Sequence, residues 1–317
     1  MTRALFVLLL VNSLLALLAL LRFLRRPLSV DAKAGFVYVD RQDLLPRAFF
    51  ESGPELQIAG LFAHLLPSPP DGGRLLTVLD IGMNTGFFSL LAASRGAEVF
   101  SFEPQPRCVR LMQASLVAEN AHLRSRLCVT NVAVGPPGVL EVPDSTCYGG
   151  FRGNDTETSY MPVHNRLRIL RVPLYSLAPP HARIHLVKID TEGAEAAILK
   201  QLLPFVRKQA VDNLVVEVVP SWWASRESSL PEGLVVLREL ERMASSVVLL
   251  DDAQPFPFSK KPATLPNGIS GPAFTNFSMT ALIEDRFATR TGCNLWFSFQ
   301  SSKTSHSTSK EMHYRAA

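Results

Sequence analysis

Cysteine and surplus charge are both scarce in this chain of 317 residues. It has four cysteines, without a C-x-x-C pair or a histidine at ligand spacing; this argues against a zinc site and a disulfide framework and predicts buried thiols. The cysteines are Cys108, Cys128, Cys147 and Cys293. The net charge of +4 is carried by the arginines of residues 1–30, so the rest is formally neutral. A nucleic-acid-binding domain would carry a basic excess, so we exclude nucleic acid as a partner.

One apolar run has the length of a membrane span. Residues 4–21 read ALFVLLLVNSLLALLALL, without a charge, which is at the short end of the range for a spanning helix. Arginines follow it, where a cleaved signal peptide would have a small-residue site, and no polar face suits a buried core helix. We therefore predict a single-pass membrane anchor over residues 1–26.

The side of the membrane is left open by the sequence. Arg22, Arg25 and Arg26 follow the span, and the positive-inside rule then favours the cytosolic face for the domain that follows. Two N-x-S/T sequons, at Asn154 and Asn276, would permit glycosylation in an endomembrane lumen.

The remaining chain divides into three parts. Residues 27–70 are interpreted as a linker and helical lead-in, residues 71–299 as an α/β domain with a mainly parallel sheet, and residues 300–317 as a disordered tail. The predicted strands are Leu75–Leu79, Glu98–Phe102, Leu127–Val134, Ile184–Ile189, Asn213–Val219, Val247–Leu250 and Asn294–Phe299.

The motif VLDIGMNTG contains the first candidate site. Asp80 ends an apolar strand, and a G-x-N-x-G turn opens a helix whose start favours an anion. Gly82 would let a ligand approach the backbone, Asn84 tolerates unusual backbone angles, and Gly86 allows tight helix–strand packing. The spacing is not that of the dinucleotide fingerprint G-x-G-x-x-G. Taken alone, the motif could also be an ordinary βα turn.

An acid follows at the spacing expected of a ribose ligand. Glu103 comes 23 residues after Asp80, at the end of the next strand, where it can accept hydrogen bonds from both ribose hydroxyls. A solvated strand end is the alternative for Glu103 alone. The two features together predict a nucleoside-containing cofactor.

The third motif, LVKIDTEGAE, ends another strand at the sheet edge where open α/β sheets bind ligands. Asp190 is the strand-end acid, while Glu192 and Glu195 either take part in chemistry or only stabilise the positive end of a helix. Lys188 lies between apolar residues, and a buried lysine needs a partner.

These motifs resemble the FkbM-type methyltransferases, a branch of the class I S-adenosylmethionine-dependent methyltransferases. The matching stretches lie within about residues 74–220: VLDIGMNTGFFSLLAASRGAEVFSFEPQPRCVRLMQASL, NVAVG and HLVKIDTEGAEAAILKQL. The resemblance implies a Rossmann-like, seven-stranded, mostly parallel sheet with helices on both faces. It also implies S-adenosylmethionine as the cofactor and methyl transfer, commonly to an oxygen.

The resemblance also implies roles for single residues. The first motif would shape the pocket for the methionine part, Glu103 would hold the ribose, and Asn131 or Val132 would lie near the adenine. The cofactor-binding residues are then Asp80, Gly82, Asn84, Gly86, Glu103, Asn131 and Asp190. Asp190 and Glu192 would face the methyl group. The sequence leaves a metal requirement open: Asp190 could ligate a metal ion, but no cluster of ligands demands one, and no metal-binding residue is assigned.

A hydroxyl acceptor must lose its proton, so a general base is expected. The candidates are Asp190, Glu192 and Glu195; His164 is a further one, and His185, on a strand, is interpreted as structural. Trp222 and Trp223 could stack on a sugar or pack at the domain edge.

The function predicted is O-methylation of a hydroxyl on a glycan, glycolipid or similar acceptor, the predicted anchor motivating the lipid-linked part. The main alternative is a catalytically inactive, membrane-anchored binding module with the same fold. A nicotinamide-dependent oxidoreductase is disfavoured by the glycine spacing.

Overall fold

The structure, a computed structural model, describes residues 28–32, 35–39, 56–66, 75–143, 147, 166–179, 183–250, 261–266, 269 and 272–299. The predicted anchor and the predicted tail lie outside these residues. Among the helices that are described, none is both long and apolar enough to cross a membrane. The predicted linker contains a hairpin of β1 (Leu28–Ala32) and β2 (Gly35–Val39), then helix α1 (Leu56–Leu65).

A nine-stranded mixed sheet forms the centre of the domain, in the order β12-β13-β11-β14-β10-β9-β3-β4-β5. The five strands from β10 to β5 are parallel, whereas β14, β11, β13 and β12 are joined by antiparallel pairings. The strands are β3 (Thr77–Ile81), β4 (Glu98–Phe102), β5 (Leu127–Thr130), β9 (Ile184–Ile189), β10 (Val211–Val218), β11 (Ser246–Leu250), β12 (Lys261–Pro262), β13 (Ala273–Thr275) and β14 (Cys293–Ser298).

The prediction of seven strands was too low, and the sheet, which was predicted to be mostly parallel, is mixed, with four parallel and four antiparallel pairings among its described strands. The two additional strands, β12 and β13, are two and three residues long and lie at the edge. Such short strands are defined by their pairing and have no periodic pattern of their own.

The predicted strand Leu127–Val134 is in fact two strands. Its first half is β5, whereas β6 (Ala133–Val134) joins a separate three-stranded sheet with β7 (Gly138–Pro143) and β8 (Arg166–Val172). That sheet was not predicted.

Helices cover both faces of the main sheet, as predicted. On one face, α1, α2 (Phe87–Ser94) and α3 (Pro106–Ala118) pack on alternate strand residues such as Val78. On the other, α5 (Glu195–Arg207), α6 (Leu230–Met243) and α7 (Met279–Thr289) pack on residues such as Leu79. A short helix, α4 (Leu174–Leu177), follows β8.

The carboxyl ends of the parallel strands lie at one edge of the sheet. Pairing of β3 with β9 sets Asp80 beside Lys188, and pairing of β9 with β10 sets Ile189 beside Val216. The residues that follow these pairs therefore meet, although they are far apart in sequence.

Candidate functional site

The turn after β3 lies against the end of β9. Gly82 has a φ of 83°, and a Cβ built on it would be 1.7 Å from the backbone oxygen of Asp190. The amide of Gly82 donates to the carbonyl of Phe102, which ties the turn to β4 as well. The glycine therefore permits two strand ends to approach each other, whereas the sequence had predicted approach of a ligand.

Two further residues of this turn, Asn84 and Gly86, have left-handed backbone conformations. Asn84 has a φ of 52°, as the motif predicted, and its Oδ1 accepts from the amide of Thr85 at 2.7 Å. Gly86 has a φ of 93°, and a Cβ there would lie 2.3 Å from Sδ of Met112. Gly86 thus permits close packing on helix α3, where a strand contact had been predicted.

Glu103 joins the turn to the end of β4. Its Oε2 accepts from the amide of Asn84 at 2.9 Å and its Oε1 from the amide of Gln105 at 2.8 Å. The side chain is buried, and burial raises the pKa of Glu103 to about 7 despite these two donors. The Gln105 side chain is a further donor, and a carboxylate with about four acceptor sites keeps capacity for a hydroxyl.

Asp80 lies beneath the turn. Its Oδ2 accepts from the Ser89 hydroxyl at 2.5 Å, whereas its Oδ1 is buried and has no hydrogen-bond partner in the described part of the chain. Burial raises the pKa of Asp80, a rise that the nearby Lys188 ammonium opposes. The site thus contains a buried acceptor that lacks a donor.

The side-chain amide of Asn131 braces the turn after β4. Its Nδ2 donates to the carbonyls of Glu103 at 2.8 Å and Pro104 at 3.0 Å. Asn131 and Val132 are both half-buried beside this turn. The structure therefore brings Asn131 next to Glu103, where its two hydrogen bonds hold the turn in place.

Asp190 is the centre of a group of charged side chains. The Lys188 ammonium lies 2.9 Å from its Oδ2 and 4.7 Å from the Phe88 ring centre, so the buried lysine has the partner that the sequence called for. Burial would raise the pKa of Asp190, but Lys188 and a hydrogen bond with Glu217 hold it below its usual value. The Asp190 side chain is 24% exposed.

Glu217, near the end of β10, is the second carboxyl of this group, and the sequence analysis missed it. Burial and the negative charge of Asp190 raise its pKa well above the usual value. The raised pKa of Glu217 and the lowered pKa of Asp190 favour a proton on Glu217 in the hydrogen bond between the two carboxyls. The signal was present as one acid within the apolar run LVVEVV.

The other two predicted catalytic acids, Glu195 and Glu192, differ in how deeply they are buried. Glu195 is 1% exposed and accepts from the Thr191 hydroxyl, the Gly193 amide and the Trp223 indole, at 3.0, 2.7 and 3.1 Å. Burial raises the pKa of Glu195 to about 7. Glu192, with a φ of 54°, is half-buried at the strand end.

Of the other residues that the sequence singled out, His185 and Trp223 have contacts or burial that indicate a structural role. His185 bridges Asp212, at 3.0 Å, and the carbonyl of Leu65, at 2.7 Å, as its structural interpretation predicted. Trp223 is fully buried and cannot stack on a sugar, whereas Trp222 is half-buried. His164 lies outside the described residues.

The prediction of four buried thiols was wrong for three of the cysteines. Cys108 in α3 and Cys147, after β7, form a disulfide, and Cys128 is exposed; Cys293 is buried, as predicted. Sγ of Cys147 lies 3.5 Å from Oδ1 of Asn84, so the disulfide lies against the turn after β3. Sequence spacing could not reveal the pair because 39 residues separate them.

A family model for the methyltransferase FkbM domain matches residues 80–243, a little over half of the chain. The chain belongs to this family. The match begins at Asp80 and includes every predicted site residue, as well as Glu217. No curated protein matches the chain.

Solved structures also resemble this FkbM methyltransferase domain. An S-adenosylmethionine-dependent methyltransferase from Agrobacterium tumefaciens has a TM-score of 0.45 and 12% identity, covering 87% of this chain and 71% of that one. A human methyltransferase 10 domain-containing protein has 0.38 and 11%, covering 78% and 83%. The N-terminal domain of human METTL16, solved with SAH, has 0.36 and 12%, covering 78% and 71%. The assignment itself depends on the family match.

Carboxyl groups dominate the strand ends of the FkbM domain. Asp80, Glu103, Asp190, Glu192 and Glu217 lie there, with Lys188 as the cation in their midst. Within the described ranges, no group of three or more histidine, cysteine or acidic side chains could hold a metal ion. Asp190, whose pKa is lowered, carries a negative charge at the partly exposed part of this edge and favours a cationic group of a ligand.

Proposed function

We propose that this FkbM domain is an S-adenosylmethionine-dependent methyltransferase that methylates an uncharged hydroxyl group, on a glycan or a lipid-linked acceptor. The observation that carries the proposal is Glu103: a buried carboxyl at the end of β4, bound by the amides of Asn84 and Gln105. A carboxyl so placed is suited to the two hydroxyls of a ribose.

The side chains of the site suit this cofactor in three respects. Glu103 has acceptor capacity for the ribose, the unpartnered Oδ1 of Asp80 needs a donor, and the ionised Asp190 favours a positive charge. Gly82, Asn84 and Gly86 would shape the binding turn, with Asn131 bracing it. S-adenosylmethionine, when bound, supplies the methyl group from its cationic sulfur.

Asp190 is the best candidate among the described residues for receiving the acceptor's proton. It is ionised, partly exposed and at the strand edge, whereas Glu195 is enclosed by three donors. Lys188 and Glu217 fix its orientation but also weaken it as a base. In this proposal Asp190 orients the hydroxyl and takes its proton, Glu192 lines the acceptor side, and Glu195 supports the loop between them.

The partly exposed Asp190, whose pKa is lowered, supports an uncharged acceptor, because an ionised carboxylate would repel a carboxylate or a phosphate. The predicted anchor at residues 4–21 supports an acceptor at a membrane. An inactive binding module remains the second candidate function, since the same residues would bind the cofactor without turnover.

The test is transfer of a labelled methyl group from S-adenosylmethionine to glycan and glycolipid extracts. Product stable to mild base is expected, since a methyl ether survives it and a methyl ester does not. Asp190→Asn should lower the turnover rate by about 100-fold or more, with cofactor affinity within a few-fold of wild type. Glu217→Gln, which still donates to Asp190, is the matched control and should retain most of the activity.

Cofactor binding without product from any extract would favour the inactive module. Full activity of Asp190→Asn would exclude Asp190 as the proton acceptor.

A further inference from the structure

The Cys108–Cys147 disulfide points to the compartment in which the domain works. Both cysteines are buried, at 0% and 2% exposure, and the bond joins α3 to the chain after β7. Disulfides persist in oxidising compartments and are rare in the cytosol, where those present are usually transient and catalytic or redox-sensing. A bond enclosed within the fold is typical of the persistent, structural kind.

A second observation, independent of the first, concerns the sequon Asn276-Phe277-Ser278. Asn276 lies on the turn between β13 and α7, where its side chain is exposed and its φ is 53°. The Ser278 hydroxyl accepts from the amide of Ala281, so the sequon occupies the start of α7 in a fixed conformation. A glycan on Asn276 would extend into solvent without a change in the fold.

The sheet order keeps this position away from the candidate site. The turn follows β13, whereas the site lies at β3, β4, β9 and β10, and two strands (β11 and β14) separate β13 from β10. A glycan on Asn276 would therefore not obstruct the strand ends at which the cofactor is proposed to bind.

We propose that the domain faces the lumen of the secretory pathway, with Cys108–Cys147 as a permanent bond and Asn276 as the attachment site of an N-linked glycan. This is the opposite of the side that the positive-inside rule favours from the flanking arginines. That rule is a statistical bias in the charge of loops. The inference does not depend on methyl transfer, and its two deciding readouts, thiol alkylation and glycan number, use no methyl donor.

Both modifications have defined co-reactants. The two thiols lose two electrons and two protons to the disulfide of a lumenal thiol oxidoreductase, whose own disulfide becomes two thiols. Nδ2 of Asn276 loses one proton and bonds to the anomeric carbon of a lipid-pyrophosphate-linked oligosaccharide, and the lipid pyrophosphate leaves.

The experiment uses the full chain expressed in cultured eukaryotic cells. Lysates are denatured in acid, free thiols are alkylated, and the cysteine peptides are identified by mass spectrometry before and after reduction. In parallel, gel mobility is compared with and without an endoglycosidase that removes N-linked glycans, for wild type, Asn276→Gln and Ser278→Thr.

The expected result has two parts. Cys108 and Cys147 escape alkylation until reduction, whereas Cys128 is alkylated at once. Asn276→Gln carries one glycan fewer than wild type, and Ser278→Thr, which keeps both the sequon and the helix cap, carries the same number. Counting the loss at Asn276 keeps the result separate from any glycan on Asn154.

Immediate alkylation of Cys108 and Cys147 would overturn the proposal, as would an unglycosylated Asn276 in the wild-type chain. A thermal melt of Asn276→Gln checks that the variant folds like wild type. Measurement of S-adenosylmethionine binding by folded protein purified from the same cells separates failure here from failure of the proposed function.

Discussion

Glu103 is the residue whose ionisation couples the candidate cofactor site to pH. Burial raises its pKa to about 7, and ribose hydroxyls would donate to its ionised form more strongly than to its neutral form. Binding therefore competes with protonation, and affinity for S-adenosylmethionine should rise about tenfold between about pH 6 and pH 8. Titration calorimetry across that range measures the rise.

Glu103→Gln is the control for this dependence. The variant should bind about 10-fold to 100-fold more weakly at pH 8, the loss expected for hydrogen bonds to a charged group. It should also lose the pH dependence that Glu103 causes, which separates that group from the cofactor's own amino group. Equal slopes in the two proteins would contradict the role given to Glu103.

Gly82 supports a second prediction at the residue scale. Alanine at this position would combine a φ of 83° with a Cβ 1.7 Å from the Asp190 carbonyl. We expect Gly82→Ala to destabilise the domain by about 3 kcal/mol or more, because two backbone segments would have to separate. Urea denaturation measures the loss.

Gly96→Ala is the matched control, since Gly96 has a similar φ of 88° in a turn. The difference between the losses in unfolding free energy of Gly82→Ala and Gly96→Ala measures the cost of the contact between the added Cβ and the Asp190 backbone. Equal losses would show that the contact costs nothing.

At the scale of elements, the disulfide joins helix α3 to the chain after β7. Closing a loop of this length stabilises a fold by about 2–4 kcal/mol. Cys147→Ser should lose that amount in urea denaturation and should also weaken S-adenosylmethionine binding, because the bond contacts Asn84. Cys128→Ser, at an exposed position, should be neutral in both measurements.

The start of helix α5 depends on Glu195. Its three donors come from the loop after β9 and from the residue 220–226 turn, so the carboxyl joins two elements. We expect Glu195→Gln to lower the free energy of unfolding by about 1–3 kcal/mol, since an amide cannot accept from all three donors. Trp223→Phe removes one donor and should cost less. A large loss of turnover by folded Glu195→Gln, with unchanged stability, would instead support a catalytic role.

The apolar pattern of the sequence predicted those elements whose own apolar residues are buried in the core. The strands Glu98–Phe102 and Ile184–Ile189 have the predicted bounds, because each is an apolar run that ends at a turn or an acid. Helix α5 continues through Pro204 to Arg207, since Leu202, Leu203 and Val206 remain buried in the core. Helix α7 was missed in a stretch rich in proline and phenylalanine.

The site was predictable where a motif is local and unpredictable where the chain returns from elsewhere. The turn around Asn84 and the acid Glu103 lie within one βαβ unit, and their spacing in the sequence was sufficient to predict that they belong to one candidate site. Glu217 and Cys147 come from other elements, so their proximity to Asp190 and Asn84 requires the sheet order and the chain path.

At the scale of the whole molecule, the buried acids control how stability varies with pH. Glu103 and Glu195 have pKa values of about 7 in the fold against 4.5 for exposed groups, so the folded state binds more protons between these values. Their contribution to stability is present at the lower pH and is lost as the pH rises from about 4.5 through about 7.

The ligand-free domain should therefore have a lower free energy of unfolding at pH 7.5 than at pH 5.5. Urea denaturation at the two values measures this difference, and Glu195→Gln should reduce it. An increase in stability over that range for the wild-type protein would contradict the protonation states assigned to these two groups.

The most direct measurement is titration calorimetry of S-adenosylmethionine into the folded full chain, with NAD in a parallel cell. We predict saturable binding of S-adenosylmethionine at one site, weakened in Glu103→Gln, and no heat of binding from NAD. Absence of S-adenosylmethionine binding by folded protein, or binding that Glu103→Gln leaves unchanged, would contradict the proposed cofactor site.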